Sequence, residues 1–177
     1  IKILTHMQAH FDHVAAMAEM QRLTGAKVYS TDADTPILES GGKTDPYNGG
    51  DHAFAPVHVD RRLKDGETIA LGGSELKVVL TPGHTPGSVS YWFKGTDKPV
   101  FIVNVPTVVM PLVNNSLDPK IVDHYEQSFR VLKAQHPEIW VAAHAAQFDM
   151  IMARTSGKVG DGDGISHRAV EGLALRL

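Results

Sequence analysis

The opening stretch, Ile1-Lys2-Ile3-Leu4-Thr5-His6-Met7-Gln8-Ala9-His10-Phe11-Asp12-His13, decides the fold. Ile1, Ile3 and Leu4 mark a β-strand that runs into a turn rich in imidazole and carboxylate. Strand neighbours alternate sides and a turn brings the next residues round, so such a segment delivers several metal-binding side chains to one point. Two further histidines stand in similar settings: His84 within Thr81-Pro82-Gly83-His84-Thr85-Pro86-Gly87-Ser88, and His144 after Trp140-Val141-Ala142-Ala143. Each follows a β-like run, Leu76 to Leu80 and Glu138 to Val141, so both are expected at strand ends.

With no cysteine in the chain, a metal here has only His, Asp, Glu or amide ligands to draw on. Neutral imidazole and carboxylate suit divalent zinc, and a catalytic zinc keeps a position open for water. Two ligand sets can be assembled. Asp12 and His13, adjacent where the strand turns into a helix, can address one metal with His144. Gln8 and His10, on one face by the period of two, can address a second with His84.

Downstream of the turn, Val14, Met17, Ala18, Met20, Gln21 and Leu23 give a helical pattern over about Asp12 to Thr24, closed by Gly25. Ala26 to Ser30 reads as a short strand. Thr31 or Asp32 can cap a second helix across Pro36, Ile37 and Leu38 that Gly41-Gly42 stops. Lys43 to Pro56 has no periodicity and is long enough for a functional loop. The pattern then shifts to a meander: Val57 to Leu63, Thr68 to Leu71, Leu76 to Leu80, Ser88 to Phe93 and Val100 to Val103. After an irregular stretch from Asn104 to Leu117, Ile121, Tyr125, Phe129 and Leu132 share one face of a helix over Asp118 to Gln135. Gln147 to Met152 can start another helix, Gly157 to Gly164 is a breaker, and Ile165 to Leu177 can form a terminal amphipathic helix.

The 177 residues, 42% hydrophobic, suit a single soluble domain, 1–177, with a substantial core. A net charge of −3 and scattered Lys and Arg argue against nucleic acid as a partner. No apolar run reaches the roughly 20 residues that span a bilayer, and no signal peptide opens the chain. Because Ile1 stands inside a strand that feeds the metal turn, the protein is expected to continue upstream of it.

The motifs quoted above resemble those of the metallo-β-lactamase superfamily, from residue 1 to about Met152. Within it, Ala18 to Lys27, Gly41-Gly42, and Asp65-Gly66 ahead of Leu71-Gly72-Gly73 are most similar to the third subclass of zinc β-lactamases. Gln8 stands where the motif normally has its first histidine, as in the GOB-like members of that subclass, which Asn104-Val105-Pro106-Thr107 also resembles. Thioesterases of the superfamily place a metal-bridging aspartate near Asn104, and a neutral amide bridges poorly, which favours the lactamase reading.

The resemblance implies an αββα sandwich of the α/β class, incomplete here at its N-terminal strands. It implies one or two Zn2+ held by Gln8, His10, Asp12, His13, His84 and His144, with Asp12 as the catalytic residue orienting a zinc-bound hydroxide. It further implies hydrolysis of a β-lactam amide, conferring antibiotic resistance, by a monomeric periplasmic or secreted enzyme. Thr107 and Asn104 are its candidate substrate contacts within this chain. A thioester, lactone or phosphoester hydrolase on the same scaffold, or a non-catalytic zinc-binding fragment, is the alternative.

His6 lies on the strand face of Gln8 and His10 and could ligate only if the strand slipped, which would displace core side chains, so a structural role is expected. His52, His58, His124, His136 and His167 fall outside the motif and read as surface or structural residues. Trp92 and Trp140 sit in β-like runs and read as core.

Overall fold

The computed structural model describes residues 1–47, 50–94, 97–144 and 147. The elements run β1 (Ile3–Thr5), α1 (Phe11–Val14), α2 (Met17–Thr24), β2 (Lys27–Thr31), α3 (Thr35–Ser40), β3 (Arg61–Leu63), β4 (Thr68–Leu71), β5 (Ser74–Leu80), β6 (Val89–Lys94), β7 (Val100–Val103), α4 (Ile121–Lys133) and β8 (Ile139–Ala142). They form a three-stranded sheet, β1-β2-β3, and a five-stranded sheet, β4-β5-β6-β7-β8. The first is parallel throughout. The second is antiparallel up to β7, which pairs in parallel with β8.

The period of two in the strands sorts their side chains into three cores. In β2, Val28 packs with Val14, Met17, Ile37 and Leu38 under α1, α2 and α3. The next residue, Tyr29, packs with Val78, Val89 and Tyr91 between the sheets. In β5, Val78 faces that central core, while Val79 joins Phe101, Val103, Leu132 and Trp140 beneath α4. Helix, sheet, sheet and helix are thus stacked in the αββα order. Fully burying a side chain such as Val28 or Val78 is worth roughly 1.5–3 kcal/mol. Exposed ion pairs such as Arg22 with Glu19 add little beside this, because solvent screens them.

Several boundaries differ from the sequence expectation. The helix expected over Asp12 to Thr24 is two helices, α1 and α2, interrupted at Ala15 and Ala16. Both alanines keep right-handed dihedrals, and two short helices in phase leave the same apolar pattern as one long helix. The expected caps, Thr31 and Asp32, are not at the start of α3, where Asp34 is the N-cap residue. Thr31 instead ends β2, and its hydroxyl donates to the Gly87 carbonyl at 2.7 Å. Val57 to Leu63 shrinks to β3 and does not begin the meander: it pairs with β2, Tyr29 opposite Arg61. Val57 itself is held by its N–H on the Leu38 carbonyl and packs under the helices.

Gly41, the C-cap residue of α3, has φ of 68°, and a Cβ there would run into the Phe54 carbonyl. The loop from Lys43 to Pro56 is therefore drawn tightly back over the end of α3. Trp140 is buried and Trp92 packs against the same core, as expected. The helices expected over Gln147 to Met152 and Ile165 to Leu177, and the Gly157 to Gly164 breaker, lie outside the described residues except for Gln147.

Candidate metal centre

Every ligand expected from the sequence lies beyond the C-terminal end of a strand. β1 hands the chain to Gln8, His10, Asp12 and His13 on the turn into α1. The loop between β5 and β6 carries His84, and His144 follows β8. Since the first group comes from one sheet and the other two from the other sheet, the centre sits across the junction between them.

Asp12, His13 and His144 bring one donor atom each into a cluster. His13 Nε2 lies 3.3 Å from His144 Nε2, and Asp12 Oδ2 lies 3.4 Å and 3.5 Å from the same two nitrogens. Ligand atoms about 2.0–2.1 Å from a tetrahedral zinc stand about 3.3–3.4 Å from one another. The three edges therefore match one face of such a tetrahedron. His10 Nδ1 and His84 Nε2, 3.2 Å apart, form a second pair of converging ring nitrogens.

Gln8 joins the two groups in an unexpected way. Its amide nitrogen meets His13 Nε2 at 2.5 Å, on the Asp12 side of the centre. Its buried Oε1 has no hydrogen-bond partner among the described residues, which leaves a lone pair for a cation. The donor set is thus imidazole nitrogen, carboxylate and amide oxygen, with no thiolate, and it fits a zinc ion.

The imidazoles are prepared as neutral donors. Burial lowers the pKa of His10, His13 and His84 below the ordinary histidine value, which favours the unprotonated ring that a metal requires. The Nδ1 of His84 donates to the Thr107 carbonyl at 2.8 Å, so its lone pair is on Nε2, the atom facing His10. The other nitrogen of His10, Nε2, lies 3.6 Å from Asp45 Oδ2. The Thr107 carbonyl is an outer partner of the kind that fixes the orientation of a ligand ring, whereas Asp45 stands beyond hydrogen-bond distance of His10 Nε2.

Around these groups, Thr107 is exposed, its hydroxyl 3.0 Å from His84 Nδ1. Its carbonyl also accepts from Tyr125 of α4 at 2.9 Å. Asn104 is 2% exposed, and its backbone N–H donates to Ser90, so burial separates it from solvent. His6 is buried against the Ser30 hydroxyl at 2.8 Å, the structural role expected of it. His52, His58 and His136 are exposed, His124 pairs with Asp118, and His167 lies outside the described residues.

Two residues that the sequence did not single out shape the centre. Asp45 is buried beside His10. Asp34 is fully buried and binds the backbone of the turn that carries His10 and of the loop that carries His84. Nothing in the local pattern around either marks it, although Asp45 falls in the long loop whose length already suggested a function.

The sequence profile of the metallo-beta-lactamase superfamily matches residues 3–97, and the chain belongs to that superfamily. Among solved structures it is similar to the metallo-beta-lactamase GOB-18 from Elizabethkingia meningoseptica, with 35% identity and a TM-score of 0.91 over 100% of this chain and 68% of that one. It is also similar to the class B3 di-zinc metallo-beta-lactamase LRA-12 from an Alaskan soil metagenome, with 34% identity and a TM-score of 0.89 over 99% of this chain and 70% of that one. A curated relative, hydroxyacylglutathione hydrolase of Fuscovulum blasticum, is 31% identical over 53% of this chain. The chain spans only 29% of that relative's length.

Proposed function

We propose that the protein hydrolyses the amide bond of β-lactams at a zinc centre held by Gln8, His10, Asp12, His13, His84 and His144. The observation that carries this is the triangle of Asp12 Oδ2, His13 Nε2 and His144 Nε2, with edges of 3.3–3.5 Å, taken with the likeness of the whole chain to GOB-18. When bound, zinc supplies a Lewis acid and lowers the pKa of a bound water toward ~7.

This chain's own residues do the rest. Asp12, exposed on the turn, has Oδ2 placed to accept a hydrogen bond from the attacking water and to orient it toward the lactam carbonyl. The Thr107 hydroxyl, exposed beside His84, is placed to donate to the substrate carboxylate. Asn104, buried below, supports the start of the segment that carries Thr107. No Ser-x-x-Lys nucleophile is required, since water attacks directly. Zn2+ as the resident metal, resistance to antibiotics, action as a monomer and a periplasmic or secreted location belong to the same reading.

A second reading is a thioester hydrolase, favoured by the likeness to hydroxyacylglutathione hydrolases. Asn104 weighs against it, because a buried neutral amide stands near the position of a bridging carboxylate. Turnover of nitrocefin and of S-lactoylglutathione by the intact protein, each with EDTA and with zinc restored, separates the two. Zinc-dependent turnover of nitrocefin alone is the expected result. Turnover of the thioester alone overturns the proposal, as does undiminished nitrocefin turnover in metal-free protein.

A further inference from the structure

Asp34 occupies the N-cap position of α3, where a carboxylate ordinarily accepts from the first free N–H groups of its own helix. It makes no such bond. Its Oδ1 accepts the Gly87 N–H at 2.7 Å and its Oδ2 accepts the Thr85 hydroxyl at 2.8 Å. The Ala9 backbone N–H donates to the same carboxylate. Ala9 lies between Gln8 and His10, and Thr85 follows His84. One buried side chain on a separate segment therefore holds the His10 turn and the His84 loop, each within a residue of its expected ligand.

The backbone has been brought unusually close to make this contact. A Cβ on Gly87 would collide with the Thr31 hydroxyl and lie 2.5 Å from the Asp34 nitrogen. Ser88 braces the loop from the other side, its Oγ accepting the Thr85 N–H at 2.8 Å. Removing a carboxylate from water costs several kcal/mol, and burial pushes the Asp34 carboxyl up to about 6. A plain helix start would be served by an exposed cap at no such cost.

We propose that Asp34 is a positioning residue that sets the separation of the His10 turn and the His84 loop, and so tunes the affinity of the His10–His84 pair for zinc. The proposal rests on the zinc reading of the site. Its effect is selective: His10 and His84 flank the groups that Asp34 binds, whereas His144 enters from β8 and has no bond to it.

Zinc titration of the intact protein by calorimetry tests this. The two equivalents are assigned by the loss of one in His84→Ala and of the other in His144→Ala. Outer-sphere partners of metal ligands are typically worth 10–100-fold in affinity, so Asp34→Ala should weaken the His84 equivalent by about that factor and leave the other little changed. Asp34→Asn keeps the size and one acceptor and should recover part of the loss. If Asp34→Ala does not fold, Thr85→Val removes one of the three bonds and should give a smaller loss confined to the same equivalent. Equal weakening of both equivalents, or of neither, overturns the proposal while leaving the zinc reading intact. So does a parent that binds one equivalent insensitive to His84→Ala. A parent that binds no zinc overturns the zinc reading, and this proposal with it.

Discussion

The Gln8 amide nitrogen and His13 Nε2 stand 2.5 Å apart across the turn that follows β1. An amide N–H donated to Nε2 uses the ring lone pair there and puts the His13 proton on Nδ1, so the Gln8 amide has to release Nε2 before that atom can bind a metal. In this arrangement Gln8 blocks one ring nitrogen while its own Oε1 is left without a partner among the described residues.

A neutral amide oxygen at this position is a weaker zinc ligand than an imidazole nitrogen. Gln8→His should raise the affinity of the weaker zinc equivalent by about tenfold or more, since imidazole donates more strongly than a neutral amide. Zinc titration against the parent reads this directly, and an unchanged weaker equivalent would refute it.

Asp12 is the only carboxylate in the triangle with His13 and His144. Asp12→Ala should remove a ligand and the orienter of the attacking water together. Proton-transfer groups are typically worth 10²–10⁴-fold, so kcat should fall by about 10²-fold or more even with zinc in excess. Steady-state kinetics at saturating zinc would expose a smaller loss as a contradiction.

The Asp34 carboxyl predicts a pH dependence of stability. Its folded pKa of about 6 lies above the ordinary aspartate value of 3.8, so the folded state holds its proton more tightly than the unfolded chain does. The resulting stabilisation is complete below about pH 3.8 and is lost as pH rises to about 6. At 1.36 kcal/mol per unit, the change is about 3 kcal/mol. His6, whose pKa burial lowers to about 4, acts in the opposite sense over much of the same window, so the informative quantity is the difference between parent and Asp34→Asn. Urea unfolding of both metal-free proteins from pH 4 to pH 7 should show the parent losing about that much relative to the variant. A pH-independent difference would refute the assignment.

Gly87→Ala should disturb the centre from a distance. The new methyl would overlap the Thr31 hydroxyl and crowd Asp34, and overpacking of this kind costs about 1–3 kcal/mol. The accompanying displacement of the His84 loop should weaken zinc binding. Gly72→Ala, at a turn where a Cβ meets nothing within 4 Å, should leave zinc affinity unaltered. Gly72 has φ of 58°, so both variants should melt lower, and zinc titration distinguishes the two.

The side chains that converge at the centre were legible because each is announced locally: a strand, then a turn, then imidazole or carboxylate. The αββα layering followed from the resemblance, and the alternation in β2 and β5 accounts for it physically. What escaped depends on distant partners. Asp34 meets Thr85 and Gly87 across 51 and 53 positions, and short-range rules assign such an aspartate to capping its own helix. β3 was misassigned for the same reason, because an isolated strand pattern does not say which sheet will accept it. The break between α1 and α2 left no trace because Val14 and Met17 remain on one apolar face.

The parallel pairing of β8 with β7 also fixes when the centre can be completed. His144 lies 131 positions from His13, so at about 5–20 residues per second translation places roughly 7–26 s between the two ligands. Through that interval the Asp12-His13 corner lacks the His144 nitrogen that completes the triangle. On the zinc reading proposed above, a stable complex would therefore form only after β8 has docked against β7.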